Sequence, residues 1–470
     1  MNARPRTPYT RVAGDTHAAP TASNGSAGAG STSARAYPPT LRSFAAPNYR
    51  LFFAGALVSN TGTWMSRVAQ DWLVLVELTD HSATALGAVT GVQFAPALLL
   101  APWAGALADR LPKRRLLALT QTTMLITSLL QAALVISGAV QLWHVFALAG
   151  LQGVASALDA PARQAFVSEL VGTELLSNAI GLNSASFNGA RMIGPGIAGV
   201  MIAAWGTGWV FVANAVSFLA ILLALWRMNP EGLDPAPTAT GRGRVVEGLR
   251  YLRGRPDLLL ILWVVFLFAT FGLNFQMTTA LMATLAFAKG PQEYGLLGSM
   301  MAIGAFTGAL LTARRAAPRL RTVVLALLGF AVTSAAAALA PTYEWFAVLL
   351  ILVGLSSLTV LPTANSLIQT SVDPAMRGRV MAVYLAIFFG GTPLGAPLIG
   401  WVGQAWGPRW TILVGSLAAL LAAVNASMVV MRRDSIRLRG SWRPPRLYVD
   451  RPARATGGAV PAEVRTEALR

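Results

Sequence analysis

The second half of this chain repeats residues of the first half, and both halves consist largely of apolar stretches long enough to cross a lipid bilayer. Six pairs of identical residues share a constant offset of 201: Gly194 and Gly395, Gly199 and Gly400, Ala204 and Ala405, Trp205 and Trp406, Gly206 and Gly407, and Trp209 and Trp410. Two equivalent helical bundles can bind a solute between them and rock against each other, so that the bound solute is exposed first to one side of the membrane and then to the other. The repeat therefore indicates transport.

Composition predicts helices in these stretches. Hydrophobic residues are 54% of the 470 residues and charged residues 12%. A helix needs about 20 mostly apolar residues to cross the hydrocarbon layer, and the stretches are too long and too uniformly apolar for the strands of a barrel. We predict an all-α membrane protein with twelve transmembrane helices in two six-helix pseudo-repeats. The predicted spans are 51–78, 85–107, 116–137, 142–163, 179–203, 208–228, 258–286, 294–313, 322–340, 343–369, 380–404 and 409–431.

Positive charge is concentrated on one side of these spans. The net charge is +18, and the basic clusters lie at 110–115, 242–255, 314–321 and 377–379 and after residue 431. The opposite loops carry little more than Lys289 and Arg409. The positive-inside rule therefore predicts a multi-pass plasma-membrane protein with both termini in the cytoplasm. Topology alone explains the basic loops, so we predict no nucleic-acid partner.

Composition also divides the chain into five predicted segments. Residues 1–40 lack an apolar core and are rich in Ser, Ala, Gly, Pro and Thr, which predicts a disordered cytoplasmic arm. Residues 41–228 and 258–431 are the predicted N-terminal and C-terminal six-helix bundles. Between them, 229–257 form a cytoplasmic central loop with a short interfacial helix. Residues 432–470 form a basic cytoplasmic tail.

The sequence lacks the catalytic or binding residues that several classes of enzyme require. The chain has no cysteine, which excludes thiolate chemistry. Its two lysines, Lys113 and Lys289, follow Pro and Ala, so no Gly-Lys-Ser/Thr phosphate loop is present. Its histidines, His17, His81 and His144, show no metal-ligand spacing and no pairing with a nucleophile. We predict a monomer with no catalytic residues, no cofactor and no metal.

The loop after the second span reads Gly105-Ala-Leu-Ala-Asp109-Arg110-Leu-Pro-Lys113-Arg114-Arg115. It resembles the signature loop of the major facilitator superfamily, with Pro112 where the usual pattern has Gly. The resemblance implies a cytoplasmic gate, and the candidate gate residues are Gly105, Asp109, Arg110, Lys113, Arg114, Asp159 and Arg163. The alternative is that the basic residues only set topology. In the second half Thr312 stands where Asp109 would recur, which predicts a one-sided gate.

Span five is similar to the superfamily's exporter motif, with Ala at two of its glycine positions. The matching residues are Gly181, Ala190, Gly194, Pro195, Ala198 and Gly199. Small residues let helix backbones approach closely, and helix packing alone is the alternative interpretation. In exporters of the superfamily this segment packs against span eight, which predicts contacts with the small row of Gly304, Gly308 and Thr312. The motif favours export over import.

Three further segments, 64–72, 159–166 and 183–195, resemble the branch of the superfamily that contains the bacterial enterobactin exporter and many drug-efflux transporters. The resemblance covers 41–431 and implies the bacterial cytoplasmic membrane. One residue departs from it. Many proton-coupled relatives carry an Arg three residues before the Gln-Gly of span four, where this chain has Ala149, so protons cannot be coupled through that position.

Helical spacing selects the residues that face a central cavity. By resemblance, spans one, four, seven and ten line that cavity, and polar rows fall on the same four helices. With Arg191 of span five, whose role the sequence leaves open, the candidates for the substrate or proton pathway are Asn60, Thr63, Trp64, Arg67, Asp71, Gln152, Ser156, Arg191, Asn274, Thr278, Thr359 and Thr363. An aromatic wall of Trp64, Phe271, Phe275, Phe388 and Phe389 is a further candidate.

Ionisable groups inside spans are functional candidates because they are costly to insert. Asp71 has two interpretations: a proton carrier, or the structural partner of Arg67 one turn away. For Asp159 and Arg163 a gate network with Arg110 is favoured over substrate contact. We predict a secondary active transporter that exports a small amphipathic molecule, drug-like or siderophore-like, by proton antiport with alternating access. The alternatives are an importer or uniporter, or a receptor or scaffold without turnover.

Overall fold

The computed structural model describes residues 37–233, 245–313, 318–433, 437–442 and 445–450. Its helices are α1 Pro47–Trp72, α2 Ala83–Leu99, α3 Ala101–Arg110, α4 Lys113–Ile136, α5 Leu142–Trp205, α6 Thr207–Arg227, α7 Val245–Arg253, α8 Pro256–Leu267, α9 Phe275–Leu281, α10 Pro291–Ala313, α11 Leu320–Ala338, α12 Tyr343–Ser371, α13 Pro374–Trp406 and α14 Pro408–Arg433. Short 3₁₀ turns occupy Pro39–Ala45 and Pro230–Gly232. Strands β1 Arg437–Trp442 and β2 Pro445–Asp450 pair antiparallel after the last helix, within the segment predicted as a basic tail.

Nine helices within the described ranges are long and apolar enough to cross a membrane: Lys113–Ile136, Leu142–Trp205, Thr207–Arg227, Pro256–Ala286, Pro291–Thr312, Leu320–Ala338, Tyr343–Ser371, Pro374–Trp406 and Pro408–Val429. The first predicted span is helical over α1 and its π-helical extension Leu73–Leu78. It is absent from the nine because polar residues such as Asn60, Arg67 and Asp71 reduce the apolar character of α1.

The second predicted span, 85–107, is two helices rather than one. The chain leaves α2 at Leu100 (φ −90°, ψ −6°) and begins α3 at Ala101. Pro96 lies in the last turn of α2 and Pro102 in the first turn of α3. Each proline removes a backbone donor, and Pro102 fits a helix start. The apolar pattern alone did not reveal this break.

Spans four and five, predicted as 142–163 and 179–203, belong to the one long helix α5. At about 1.5 Å per residue, its 64 residues would extend roughly 96 Å if straight, about three times the hydrocarbon thickness. Gly172 divides it with φ 67° and ψ 179°, a backbone conformation that favours glycine. The predicted spans covered only the apolar stretches, and the helix extends beyond them on both sides of the turn at Gly172.

Span seven, predicted as one helix over 258–286, is interrupted. After α8 the chain forms a π-helical turn at Phe268–Gly272, and Leu273 (φ −98°, ψ 4°) and Asn274 (φ −84°, ψ 27°) then break the helix. It resumes as α9 and ends in a second π-helical turn, Met282–Ala286. Such interruptions leave backbone groups without their helical hydrogen bonds and change the direction of the side chains. In membrane proteins they are tolerated where the interrupted segment lines a cavity.

Two glycines of the repeated motif form equivalent corners. Gly206 (φ 86°, ψ 169°) ends α5 and Gly407 (φ 94°, ψ 169°) ends α13. Each is followed at once by the next helix, α6 or α14. Both φ values lie where side chains are disfavoured, so glycine fits both corners. These corners explain why Gly206 and Gly407 recur at the offset of 201.

The N-terminal helices α1–α6 contact the C-terminal helices α8–α14 at one end of the molecule, which we call the closed end. There α2 packs against α13 and α5 against α10. A Cβ added to Gly400 would lie 3.0 Å from the Cα of Gly87, and one added to Gly295 would lie 3.1 Å from the Cα of Gly199. Glycine permits both close approaches.

The opposite end carries the basic clusters, and we call it the basic end. A Cβ added to Gly105, Gly181 or Gly378 would meet no atom of the described residues within 4 Å. Helix α7 lies at this end against α13, where Glu247 pairs with Arg379 at 3.1 Å. The short helix predicted in the central segment is therefore present. The N-terminal and C-terminal helices thus pack closely against each other at the closed end.

Candidate functional site

A cavity of about 160 Å³ lies between the N-terminal and C-terminal helices. Its lining residues are Trp64, Arg67, Val68, Asp71, Thr90, Gln93, Phe94, Arg191, Pro195, Leu273, Asn274, Phe275, Gln276, Met277, Thr279, Tyr294, Gly298, Met301 and Thr392. The break at 273–274 places both of its residues and the start of α9 on the cavity wall. The cavity therefore combines polar, charged and aromatic groups from both sets of helices.

Asp71 connects the two sets of helices. One carboxylate oxygen, Oδ2, accepts hydrogen bonds from Tyr294 Oη at 2.8 Å and from Gln276 Nε2 at 2.9 Å. The Asp71 side chain is buried, and Tyr294 also stacks on Trp72 with ring centroids 6.5 Å apart. In the described part of the chain, no Arg67 nitrogen lies within 4.0 Å of an Asp71 oxygen. The interpretation of Asp71 as the direct ion-pair partner of Arg67 therefore does not describe this conformation.

Two arginines flank one tryptophan on the cavity wall. The Arg67 guanidinium lies 4.8 Å from the Trp64 ring centroid and 5.3 Å from that of Phe94. The Arg191 guanidinium lies 5.4 Å from the Trp64 ring centroid. Trp64 is itself fixed by an edge contact with Phe187 at 5.7 Å. Cation–π contacts of this kind stabilise a guanidinium without neutralising its charge.

A second, smaller cavity of about 20 Å³ lies within the N-terminal helices. It is lined by Thr63, Ser66, Arg67, Gln70, Gln93, Met124, Gln152, Ser156, Asn214 and Phe218. This volume is sufficient for one water molecule. Arg67 and Gln93 line both cavities, so the two cavities are neighbours that share these polar side chains. The structure thus groups Thr63, Gln152 and Ser156 with Arg67.

Other predicted pathway residues lie outside these two cavities. The hydroxyls of Thr278, Thr359 and Thr363 donate to carbonyls of their own helices at 3.2, 2.9 and 2.7 Å. Asn60 lines neither cavity. Of the predicted aromatic wall, Trp64 and Phe275 line the larger cavity, whereas Phe271, Phe388 and Phe389 do not.

Asp159 forms a buried polar cluster toward the basic end. Its carboxylate accepts from Thr120 Oγ1 and Gln121 Nε2, both at 2.8 Å, and pairs with Arg163 at 3.0 Å. Arg163 Nη1 is buried and has no hydrogen-bond partner among the described residues. Arg110 is exposed at the end of α3 and is not among these partners. The cluster therefore joins α4 to α5 within the N-terminal helices.

The loop between α3 and α4 contributes a second ion pair. Lys113 Nζ lies 3.2 Å from a Glu169 carboxylate oxygen, and both side chains are largely buried. Arg114 is bonded to the carbonyl of Trp226 at 3.1 Å. The Asp109 side chain lies outside the described part of the structure. The described residues of the loop thus bind to α5 and α6.

The exporter-motif residues of α5 divide between two neighbours. Gly194 packs on α1, where an added Cβ would lie 2.8 Å from Trp64 Cβ, whereas Pro195 and Gly199 pack on α10. Ala190 and Ala198 are fully buried, and Gly181 faces open space. As expected, this segment packs against span eight, which is α10, but the contacts expected with Gly304 and Gly308 are wrong. Those glycines pack against Ile351 and Leu355 of α12, and α5 meets α10 at Gly295 and Gly298 instead.

Sequence reasoning missed most of the described cavity lining, including the polar and aromatic residues Gln93, Phe94, Gln276 and Tyr294. Gln276 lies only two residues after the predicted Asn274, but the break in the helix changes the direction of its side chain. Tyr294 lies near the start of α10, where an aromatic residue is also typical of a membrane interface. Only contacts between distant helices reveal its role beside Asp71.

The spanning helices and the cavity between two packed sets of them define a polytopic membrane transporter of the major facilitator superfamily, not an enzyme. Residues 39–460 match the family described as transmembrane secretion effector, and the chain belongs to that family.

Three relatives indicate the branch. The chain is 31% identical over 402 residues to the multidrug efflux pump Tap of Mycolicibacterium fortuitum, covering 82% of this chain and 96% of that protein. It is 25% identical over 395 residues to the enterobactin exporter EntS of Shigella flexneri, covering 82% and 92%. The chain is also 35% identical over 178 residues to the staphyloferrin A transporter of Staphylococcus aureus, and this stretch covers 37% of this chain and 44% of that protein. The predicted resemblance to this efflux branch is confirmed.

A solved structure shares the fold. A bacterial homologue of the human lysosomal transporter Spinster, in an inward-facing and unoccupied conformation, superposes with a TM-score of 0.63 at 15% identity, covering 81% of this chain and 97% of that one. This similarity extends through most of both chains and establishes the arrangement of the helices.

Proposed function

We propose that this protein is a secondary active exporter that moves a small amphipathic molecule, drug-like or siderophore-like, out of a bacterial cell in exchange for protons. The observation that carries the proposal is the cavity between the N-terminal and C-terminal helices, where Asp71 is bonded to Gln276 and Tyr294 across the interface. The efflux pump Tap and the exporter EntS support the direction and the substrate class.

The proposed topology has twelve spans in two six-helix bundles, with both termini and the basic end in the cytoplasm. The positive-inside rule supports this orientation because arginine and lysine cluster at that end. With this orientation the closed end faces the outside, and the proposed conformation is open to the cytoplasm. A solute could then enter from the cytoplasm and leave after the closed end separates.

Asp71 is the proposed proton carrier. When ionised, its carboxylate is a strong acceptor for Tyr294 and Gln276, and these two bonds stabilise contact between the two sets of helices. Protonation removes the negative charge and weakens both bonds. The proton can therefore alter the relative stability of the closed and separated arrangements, which is the requirement for coupling.

The loop 105–115 is the proposed cytoplasmic gate, with Asp109 and Arg110 as its central residues. The bonds of Lys113 and Arg114 to the N-terminal helices support a fixed position for the start of α4. The cluster of Asp159 and Arg163 holds α5 against α4 as well. In this arrangement, gate closure would move the C-terminal helices into the space beside Gly105.

The test is efflux from cells that express the protein, measured with a panel of lipophilic dyes and toxins. Cells with the wild-type protein should accumulate less of at least one compound than cells with Asp71→Asn expressed at the same membrane level. Dissipating the proton gradient while ATP is preserved should abolish that difference. Low accumulation that persists without the gradient rejects proton coupling, and no response across the panel rejects efflux.

A further inference from the structure

Two cavity-lining arginines, Arg67 and Arg191, make no direct ion pair with a carboxylate of the described residues. No carboxylate oxygen lies within 4.0 Å of a guanidinium nitrogen of Arg67 or Arg191 in the described part of the chain. Neither guanidinium makes a hydrogen bond to a described protein group. Their nitrogens are not among the fully buried polar atoms that lack a partner, so they keep some exposed surface. Their N–H donors are therefore available to a ligand or to water in the cavities that they line.

The charges of the cavity do not balance. Its lining contains the two guanidinium groups and the carboxylate of Asp71, whose Oδ2 already accepts two hydrogen bonds. Buried charge is costly unless it is paired, and in membrane segments it marks a functional site. The excess of positive charge favours an anion between the helices.

We propose, on the basis of the exporter function above, that the substrate is an amphipathic organic anion whose carboxylate or similar planar oxyanion binds Arg67 and Arg191. A guanidinium presents its donors in a planar fork that matches a carboxylate. Both guanidinium groups lie beside Trp64, at 4.8 and 5.4 Å from its ring centroid, and both line the same cavity, so two guanidinium donors are available on one wall of the proposed site.

The apolar part of the substrate has its own surface in the same cavity. Phe94, Phe275, Met277 and Met301 line it together with Val68. Aromatic rings and methionines adapt to flat hydrophobic groups. The site therefore combines an oxyanion end at Arg67 and Arg191 with an apolar wall formed largely by α9 and α10.

The test uses three probes with one aromatic body: 2-naphthoate, 2-naphthalenemethanol and 2-naphthylmethylammonium. Binding to the purified full-length protein in nanodiscs is measured by calorimetry at pH 7. Naphthoate should bind roughly tenfold or more tightly than the alcohol, because hydrogen bonds to charged groups contribute more than neutral ones, and the ammonium probe should bind most weakly.

Variants of the two arginines locate the binding site. Arg191→Gln should weaken naphthoate binding roughly tenfold without changing that of the alcohol, and Arg191→Lys, which keeps the charge, should lose less. Arg67→Gln gives the same comparison if Arg191→Gln does not fold. Equal or tighter binding of the alcohol or the ammonium probe overturns the proposal, as does unchanged naphthoate binding in a folded Gln variant or no binding of any probe.

These results are separable from those for export, because equilibrium binding needs no gradient. If naphthoate binds through the arginines but no proton-driven efflux is found in cells, the exporter function fails and the anion site remains. If cells show proton-driven efflux of cations and neutral compounds while naphthoate does not bind, the exporter function remains and the anion site is rejected.

Discussion

The hydroxyl of Tyr294 donates a hydrogen bond of 2.8 Å to the carboxylate of Asp71, joining the end of α1 to the start of α10. The two residues are 223 positions apart in the chain, and Asp71 is the one carboxylic acid among the described residues that line the cavity. A proton taken up at Asp71 therefore acts directly on a contact between the N-terminal and C-terminal helices.

Asp71→Asn is expected to abolish gradient-driven efflux while leaving solute binding and downhill exchange largely intact. The amide has the shape of the carboxyl group and its oxygen still accepts from Tyr294, but it cannot change charge. The measurement is solute movement in proteoliposomes with and without an imposed pH gradient.

The double variant Arg67→Gln with Asp71→Asn tests whether Asp71 only balances the charge of Arg67. If that is its sole role, the double variant recovers both folding and uphill transport. Recovery of uphill transport would remove Asp71 from the coupling mechanism. We expect the double variant to stay inactive in uphill transport.

Tyr294→Phe is expected to make the closed end separate more readily. It removes one of the two donors to Asp71 and leaves a buried acceptor less satisfied, a loss of about 1–3 kcal/mol. The chain has no cysteine of its own, so spin labels at Ala139→Cys and Pro341→Cys, both exposed at this end, report the distance across it.

Tyr343→Phe is the matched control, because the Tyr343 hydroxyl donates at 2.9 Å to the Glu293 carbonyl within the C-terminal helices. Tyr294→Phe should add a population with a longer label distance, and Tyr343→Phe should not. Identical distance distributions in the two variants would contradict a role for Tyr294 in holding the closed end.

Gly199→Val is expected to destabilise the closed arrangement by about 1–3 kcal/mol, the usual cost of overpacking. An added Cβ at Gly199 would lie 3.0 Å from the Cα of Gln292 in α10, where backbone cannot easily yield. Gly181→Val, in the same motif but beside open space, is the control. The same label pair at Ala139 and Pro341 measures the effect, and equal distances in both variants would show that this close packing is unimportant.

Most helix positions could be predicted from the sequence because an apolar run of fixed length is sufficient to define a membrane helix. The breaks could not. The breaks at Leu100 and Gly172 depend on local backbone angles, which the apolar pattern does not show. The interruption at Asn274 lies inside a continuous apolar stretch and leaves no mark in that pattern. The repeated Gly206 and Gly407 were visible as a sequence offset, and the structure adds the reason that both occupy left-handed corners.

The cavity was predictable only in part. Trp64, Arg67 and Asp71 follow from helical spacing on α1, and all three line the cavity. Their partners come from helices that the sequence does not place beside them, so Gln276 and Tyr294 were missed. Sequence spacing suggested Arg67 as the partner of Asp71, but two neutral donors on other helices satisfy that carboxylate instead.

Asp109→Asn is expected to reduce transport severely without preventing membrane insertion, because acidic residues contribute little to topology. The measurement is efflux at matched surface expression, with orientation checked by thiol labelling at the exposed Ala139→Cys position. Glu231→Gln is the control, since it removes an exposed acid elsewhere in the N-terminal half. Wild-type efflux by correctly inserted Asp109→Asn protein would reject the gate role of this residue.

Asp159→Asn is expected to lower thermal stability more than Asp257→Asn, although each change removes one carboxylate from an arginine pair. Asp159 is buried and also accepts from Thr120 and Gln121, so its loss costs about 1–3 kcal/mol. The Arg255–Asp257 pair is 2.8 Å long but partly exposed, with side chains 33% and 25% accessible, which limits its contribution to roughly 0–1 kcal/mol. Unfolding midpoints of the two purified variants in the same detergent provide the comparison. A larger loss at Asp257 would show that the cluster around Asp159 does not stabilise the fold, and would leave the gate as the remaining role for Asp159 and Arg163.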